Sequence, residues 1–400
     1  MGELLHNTAA LDAAYHMAIY ARKPVMFVRG DGVRLYDDDG REYLDFVSGI
    51  GAVNLGHAHP AVAAAIAEQS AKLVHVSNLF HVEHRAHLAE VVATLAGGGR
   101  KVFFANSGTE SVEGAIKLAR RWGKLGKGED CYRIVTAQRS FHGRTLGALS
   151  ATAQPSKQEA FVPLLPGFLH VPLNDLSALE AIVDDTVCAV MLEVVQGEGG
   201  VHPCTPGYLT AVRRLCDERG VLLVLDEIQT GFFRTGPAFA HQSFGIEADI
   251  MTLAKSMANG LPIGAVVATD EVAAAFKPGD HGSTFGGGPV VCAAALATIH
   301  ALGEERLGDR AIVVGAYLKQ RLVELAEKTG EITDVRGLGL MVAVQLTRPV
   351  ATLVAERALG AGIVLNNIGD SVIRFLPPLV CKEAEIDTLL GTLEAVFGEV

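Results

Sequence analysis

Four short apolar runs, KVFFA (101–105), RIVTA (133–137), AVMLEVV (189–195) and VLLVLDE (221–227), recur between helical stretches. None of them alternates apolar with polar side chains. A strand wetted on one face has to alternate, so these runs read as strands buried on both faces of a mostly parallel sheet. The stretches between them carry helical signals. SVEGAIKLARRWG (111–123) sets Val112, Ile116 and Ala119 on one stripe, and TPGYLTAVRRLCDERG (205–220) opens with a proline in its first turn and closes at Gly220. Alternating units of this kind predict an α/β layered domain that binds its ligand at the carboxyl ends of its strands.

The flanking regions differ. Residues 26–46 alternate apolar and polar positions around Asp31-Gly32 and Asp39-Gly40, which predicts a β-meander with tight turns. After about residue 288 a helix-rich stretch is followed by GLGLMVAVQL (337–346), another helix, VIRFLPPLV (372–380) and a last helix, a smaller α+β unit. The expected division is 1–60 as an N-terminal segment of the small domain, 61–287 as the large ligand-binding domain, and 288–400 as the C-terminal small domain.

Composition narrows the function. The 400 residues are 49% apolar and 20% charged, which describes a globular enzyme-sized chain. A formal charge of -11 with no basic stripe would repel a phosphate backbone, so no nucleic-acid partner is expected. The first residues do not resemble a secretory signal, and runs such as PVVCAAALA (289–297) are too short for a bilayer. The expectation is no membrane partner and a cytoplasmic address. The six cysteines are scattered without a C-x-x-C pair and read as buried free thiols. His81, His84 and His87 recur every third residue, and His57 and His59 form H-x-H, yet no carboxylate or cysteine completes a set, so no metal site is expected.

Four features point together to a phosphate-bearing aldehyde cofactor. In FFANSGTESVEGAIKLA a buried strand meets a helix at Asn106-Ser107-Gly108-Thr109, where free amides and the positive dipole end suit a phosphate. An ordinary capping box, Ser107 with Glu110, is the competing reading. VLLVLDEIQTG ends an apolar strand in Asp226-Glu227, and an acid there can hold a pyridine nitrogen protonated. A metal-binding acid of a nucleotide enzyme would look similar, but the chain has no G-x-x-x-x-G-K-[ST]. ADIMTLAKSMANGLPIG delivers Lys255 from an apolar run, where the ammonium is disfavoured and the free amine can attack a carbonyl. A surface lysine is the alternative. SFHGRTLGALSAT sets Phe141 and Arg144 after the next strand, an aromatic face and a guanidinium shaped for a carboxylate; a surface arginine in a loop would read the same way.

The ordered blocks NSGTE, SFHGRT, LEVVQGEGG, LDEIQTGFFRTG, TLAKSMANGLPIGA and HGSTFGGGP resemble those of class III aminotransferases of fold type I. FVSGIGAVNLGHAHP, RGLGLMVAVQL and RFLPPLV extend the likeness over nearly the whole chain. HVSNLFH, FHGRTLGALSAT and FKPGDHGSTFGG are most similar to the acetylornithine group, with the ornithine and 4-aminobutyrate groups nearby. The resemblance implies pyridoxal 5′-phosphate as cofactor, with Lys255 as Schiff-base and proton-shuttle lysine, Asp226 on the ring nitrogen and Gln229 on the ring hydroxyl. It implies Phe141 and Ile228 around the ring, and Ser107, Gly108 and Thr109 on the phosphate, joined by Thr284 of a second subunit in a homodimer. Arg144 and Arg374 would bind substrate carboxylates, with Glu198 pairing with Arg374. Ser283 and Tyr20 would touch substrate.

The implied reaction is ping-pong transfer of a terminal amino group from an acetylornithine- or ornithine-type donor to 2-oxoglutarate, as in arginine biosynthesis. A 4-aminobutyrate or other ω-amino acid donor, another reaction of the same cofactor such as decarboxylation, a nucleotide enzyme and a non-catalytic binding role are the alternatives. Gly288, Phe233, Val194 and the SMANG turn depart from the family pattern and bear on specificity.

Overall fold

The computed structural model of the chain describes residues 3–400. Seven strands form the central sheet: β1 (Arg100–Ala105), β2 (Arg133–Ala137), β3 (Phe168–Val171), β4 (Val187–Glu193), β5 (Leu222–Asp226), β6 (Ile250–Leu253) and β7 (Gly264–Thr269). Their order is β1-β7-β6-β5-β4-β2-β3. β7 is antiparallel to both of its neighbours, and the other six share one direction. The mostly parallel sheet expected from the unalternated runs is therefore present. Every residue of β4, β5 and β6 is buried, which is why their sequences show no period of two. Each fully buried Val, Leu or Ile there contributes roughly 1.5–3 kcal/mol by leaving water.

Helices cover the sheet. The helix Gly108–Lys127 buries Val112, Ile116 and Ala119 as predicted, but begins three residues earlier and ends four later than the pattern in 111–123. The helix Pro206–Arg219 stops where Gly220 turns left-handed, at φ 57°.

Three smaller sheets lie outside this one, the least of them the antiparallel pair Val195–Gln196 and His202–Pro203. Phe27–Asp31, Arg34–Asp37 and Glu42–Asp45 form the expected antiparallel meander, and Ile363–Val364 adds to it in parallel beside Glu42–Asp45. Ile332–Leu338, Met341–Leu346, Val372–Phe375 and Asn366–Ile368 form an antiparallel sheet in that order. All six cysteines are buried and free. Among the described residues no helix is long and apolar enough to cross a membrane.

Candidate active site

The carboxyl ends of β1, β2, β4, β5 and β6 all lie at one edge of the sheet. The segments leaving them line a cavity of about 430 Å³, with Ser107, Phe141, Glu193, Asp226 and Lys255 each supplied from a different strand. Gly108, Thr109, Arg144, Glu198, Ile228 and Gln229 line it as well. Ten of the residues picked out in the sequence thus share one wall-to-wall space.

Asp226 and Glu227 illustrate how a strand end separates neighbours. Asp226 faces the cavity and its Oδ2 lies 2.7 Å from Nδ1 of His142. Glu227 is fully buried and accepts from the amides of Ala240 (3.0 Å) and His241 (2.9 Å), from the Thr230 hydroxyl, and pairs with His241 Nδ1 at 2.9 Å. The second acid is thereby consumed in structure, and the first is left to the cavity. Burial alone would lower the pKa of His142, but its bond to Asp226 outweighs that and raises it.

Lys255 follows β6 directly and opens the short 3₁₀ turn Lys255–Ala258 with φ at 48°. A lysine held in the left-handed region is strained, and such strain is found where a side chain must be aimed. Burial, then the charge of Arg374, pull its pKa down from 10.5 to about 8, so the free amine is accessible near neutral pH.

The capping arrangement that competed with phosphate binding is there. Ser107 Oγ accepts from the Glu110 amide at 3.3 Å, while Glu110 Oε2 accepts from the Asn106 amide at 2.6 Å and its side-chain nitrogen at 2.9 Å. Ser107, Gly108 and Thr109 still border the cavity, and the first-turn amides have no carbonyl within the helix to bond. Gly108 packs so closely on Ile228 that an added Cβ would stand 2.9 Å from its Cδ1. A side chain there would collide with Ile228, so glycine lets the helix start and Ile228 close together on the cavity wall.

Behind this wall Arg374, on the strand Val372–Phe375, is only 1% exposed. Its Nη1 donates to Glu198 Oε1 at 2.6 Å and to Gln229 Oε1 at 3.2 Å, and Nε and Nη2 donate to Asn366 Oδ1 at 2.9 and 2.5 Å. Burial would raise the pKa of Glu198, but Arg374 outweighs it and holds the carboxyl below the usual range. Arg144 is exposed, with its guanidinium carbon 5.6 Å from the Phe141 ring centroid.

Three residues singled out in the sequence stand apart from this cavity. Tyr20 is 73% exposed and borders a separate recess with Asp12, His16 and Arg22. Ser283 lies just behind the cavity, its hydroxyl 3.1 Å from the Asn106 side chain, and Thr284 is exposed. Sequence reasoning passed over His142, Glu193 and Asn366. His142 sits inside the same SFHGRT block as Phe141 and Arg144, and Glu193 ends a buried run as Asp226 does, so both carried a readable signal. Asn366 did not, because only strand pairing brings it opposite Arg374.

The chain matches the family model for class III aminotransferases over residues 17–397. The chain is a class III aminotransferase. It is 48% identical to the acetylornithine aminotransferase of Caldanaerobacter subterraneus subsp. tengcongensis over 386 residues, 96% of this chain and 98% of that protein. Identity to the acetylornithine aminotransferase of Methanocaldococcus jannaschii is 45% over 394 residues, 98% of each. Among solved structures, this aminotransferase superposes with a TM-score of 0.94 on an ornithine aminotransferase from Toxoplasma gondii, at 34% identity over 98% of this chain and 94% of that one. That crystal, grown with oxidized glutathione, has partial occupancy of pyridoxal phosphate at its active site. The cofactor of this class III aminotransferase is pyridoxal 5′-phosphate. The residues present fit it: a buried amine, a carboxylate held by a histidine, and a helix start whose first residues border the same cavity.

Proposed function

We propose that this aminotransferase moves the terminal amino group of N2-acetylornithine, or of ornithine, to 2-oxoglutarate. The observation that carries the reading is the Arg374–Glu198 pair, 2.6 Å apart with Glu198 on the cavity lining, together with a second arginine, Arg144, on the same lining. A donor reacting at its distal carbon keeps its α-carboxylate far from the reacting atom, whereas glutamate reacts at the carbon bearing that group. Two arginines, one on the cavity lining and one paired with an acid, answer that difference.

When bound, pyridoxal phosphate supplies an aldehyde carbon that takes up the amino group and a ring that draws electrons from the substrate carbon. Ser107, Gly108 and Thr109 would hold its phosphate, Asp226, bonded to His142, would keep the ring nitrogen protonated, Gln229 would bond the ring hydroxyl, and Phe141 and Ile228 would pack on the ring. Lys255 would hold the cofactor through its amine and, as a free amine, would take a proton from the substrate carbon and return one. Arg144 receives the α-carboxylate of the ω-amine donor. Arg374 receives that of glutamate or 2-oxoglutarate once Glu198 releases it; Ser283 and Tyr20, which lie outside the cavity of one chain, are substrate contacts by family resemblance alone.

The working unit in this reading is a cytoplasmic homodimer in which Thr284 of the second subunit completes the phosphate site; exposure of Thr284 and Phe285 on one chain supports it. Residues 1–60 and 288–400 act as one small domain around 61–287, a division supported by the pairing of Ile363–Val364 with Glu42–Asp45. A donor panel read as kcat/KM tests the assignment. N2-acetylornithine and ornithine should exceed 4-aminobutyrate by about tenfold or more, because its carboxylate stands one carbon nearer the amine and misses the arginine; preference for 4-aminobutyrate would overturn it.

A further inference from the structure

Glu113 lies on the second turn of the helix Gly108–Lys127, outside the cavity lining. One of its oxygens, Oε1, accepts three bonds: from the Thr145 hydroxyl at 2.6 Å and from the amides of Gly147 at 2.9 Å and Ala148 at 3.1 Å. Those amides belong to the first turn of the helix Leu146–Ala151, where no carbonyl of that helix can reach them. The residue placed to cap them, Thr145, makes no capping bond to its own helix. Its hydroxyl turns instead to Glu113 and, at 2.9 Å, to Thr109 Oγ1. The cap of this helix therefore comes from a neighbouring helix. The chain leaves room for it: a Cβ on Gly147 would stand 2.4 Å from Glu113 Oε2.

The same network reaches Arg144. Thr109 Oγ1 accepts from the backbone amides of Arg144 and Thr145, both at 3.2 Å. The peptide that carries Arg144 is thus held on one side by Thr109 and on the other by the helix that Glu113 caps. Both anchors stand on the helix whose first turn borders the cavity. The arginine side chain itself is exposed and rests over the Phe141 ring, so its root is what fixes where its guanidinium can reach.

We propose that Glu113 is a positioning residue for donor selection: by capping the helix Leu146–Ala151 from outside, it fixes the backbone of Arg144 and so the place where the donor's α-carboxylate is received. The inference rests on the reading of Arg144 as the arginine that takes that carboxylate. A six-residue helix with no cap of its own depends heavily on a borrowed one, and a shift of about 1 Å in a binding group is enough to cost one to two decades in efficiency.

The test compares N2-acetylornithine with N-acetylputrescine, which has the same reacting amine and no α-carboxylate, as the ratio of their kcat/KM values in the holoenzyme. Glu113→Ala should lower that ratio about tenfold, mainly through KM for N2-acetylornithine. Glu113→Gln, which keeps an acceptor oxygen in the same place, should restore most of it. In an Arg144→Ala background Glu113→Ala should have no further effect on the ratio. If Glu113→Ala does not fold, Glu113→Asp, one methylene shorter and so withdrawn from the Gly147 and Ala148 amides, reads the same quantity, and a ratio equal to that of the unmodified protein overturns the proposal. Should Arg144→Ala lower the ratio while Glu113→Ala leaves it intact, the role of Glu113 falls and that of Arg144 stands. Should Arg144→Ala leave the ratio intact, the reading of Arg144 falls and the proposal with it.

Discussion

Glu193 and Asp226 stand opposite one another in register at the ends of two neighbouring parallel strands, and both line the cavity. Two acids side by side at the carboxyl edge of one sheet cannot share the same fate. Asp226 takes the imidazole of His142, while Glu193 takes two backbone amides, Phe141 at 2.9 Å and Gly197 at 3.0 Å. Burial pushes the pKa of Glu193 from 4.5 up to about 7, with the charge of Asp226 adding to the rise and His142 opposing it.

That shift has a sign. A carboxyl whose pKa is raised on folding favours the fold below its unfolded value and loses that contribution as pH climbs through the folded one. For Glu193 the window runs from about 4.5 to about 7. Glu193→Gln, which cannot ionise, should gain stability relative to the unmodified protein across that window, by up to roughly 3 kcal/mol. Urea unfolding of both proteins at pH 5 and pH 8 measures it; a difference between them that does not change with pH would refute the assignment.

Lys255 gives a kinetic counterpart. With its pKa drawn down to about 8 by burial and Arg374, the reactive amine should become dominant as pH rises past that value. Capture of pyridoxal phosphate by the apoenzyme, followed by visible absorbance, should speed up with pH and level off above about 8. A rate independent of pH between 6 and 9 would contradict it, as would an unchanged spectrum in Lys255→Ala.

Asp226→Asn keeps the shape of the side chain and a partner for His142 while removing the charge. Turnover should fall about a hundredfold or more, as when one preorganised electrostatic contact is deleted, with little change in melting temperature. An unchanged single-turnover amino transfer would assign Asp226 to structure alone.

The two arginines should separate by half-reaction. Each carboxylate contact is charge-assisted and worth roughly 1.5–3 kcal/mol, about ten- to a hundredfold. Arg144→Ala should damage the donor step, Arg374→Ala the step with 2-oxoglutarate, and Glu198→Ala should let glutamate compete as a donor. Stopped-flow measurement of each half-reaction decides it, and equal loss of the same step in both arginine variants would end the division of labour.

What the sequence made legible follows from what is local. The core strands could be read because burial on both faces removes alternation, and the meander because Asp31-Gly32 and Asp39-Gly40 mark its turns. Lys255, Asp226 and Ser107 could be read because each leaves the end of such a strand. The Arg374–Glu198 pair, 176 residues apart, came from family resemblance and not from spacing. The start of the helix Gly108–Lys127 could be read as well, because Ser107 and Glu110 carry the spacing of a capping box and Ser107 is its N-cap. Glu113 and Asn366 were invisible, since their partners are set by how helices and strands pack and not by anything in their own neighbourhoods.

The central claim is that this chain carries the terminal nitrogen of an acetylornithine-type donor to a 2-oxo acid. N2-acetylornithine labelled with ¹⁵N at its distal amine, incubated with the holoenzyme and unlabelled 2-oxoglutarate, tests it in one NMR experiment. The account predicts that the label appears in the α-amino group of glutamate, one for each donor consumed, and that Lys255→Ala abolishes the transfer. Label released as ammonia, or left in the donor while pyridoxal phosphate is bound and the protein folded, would contradict it.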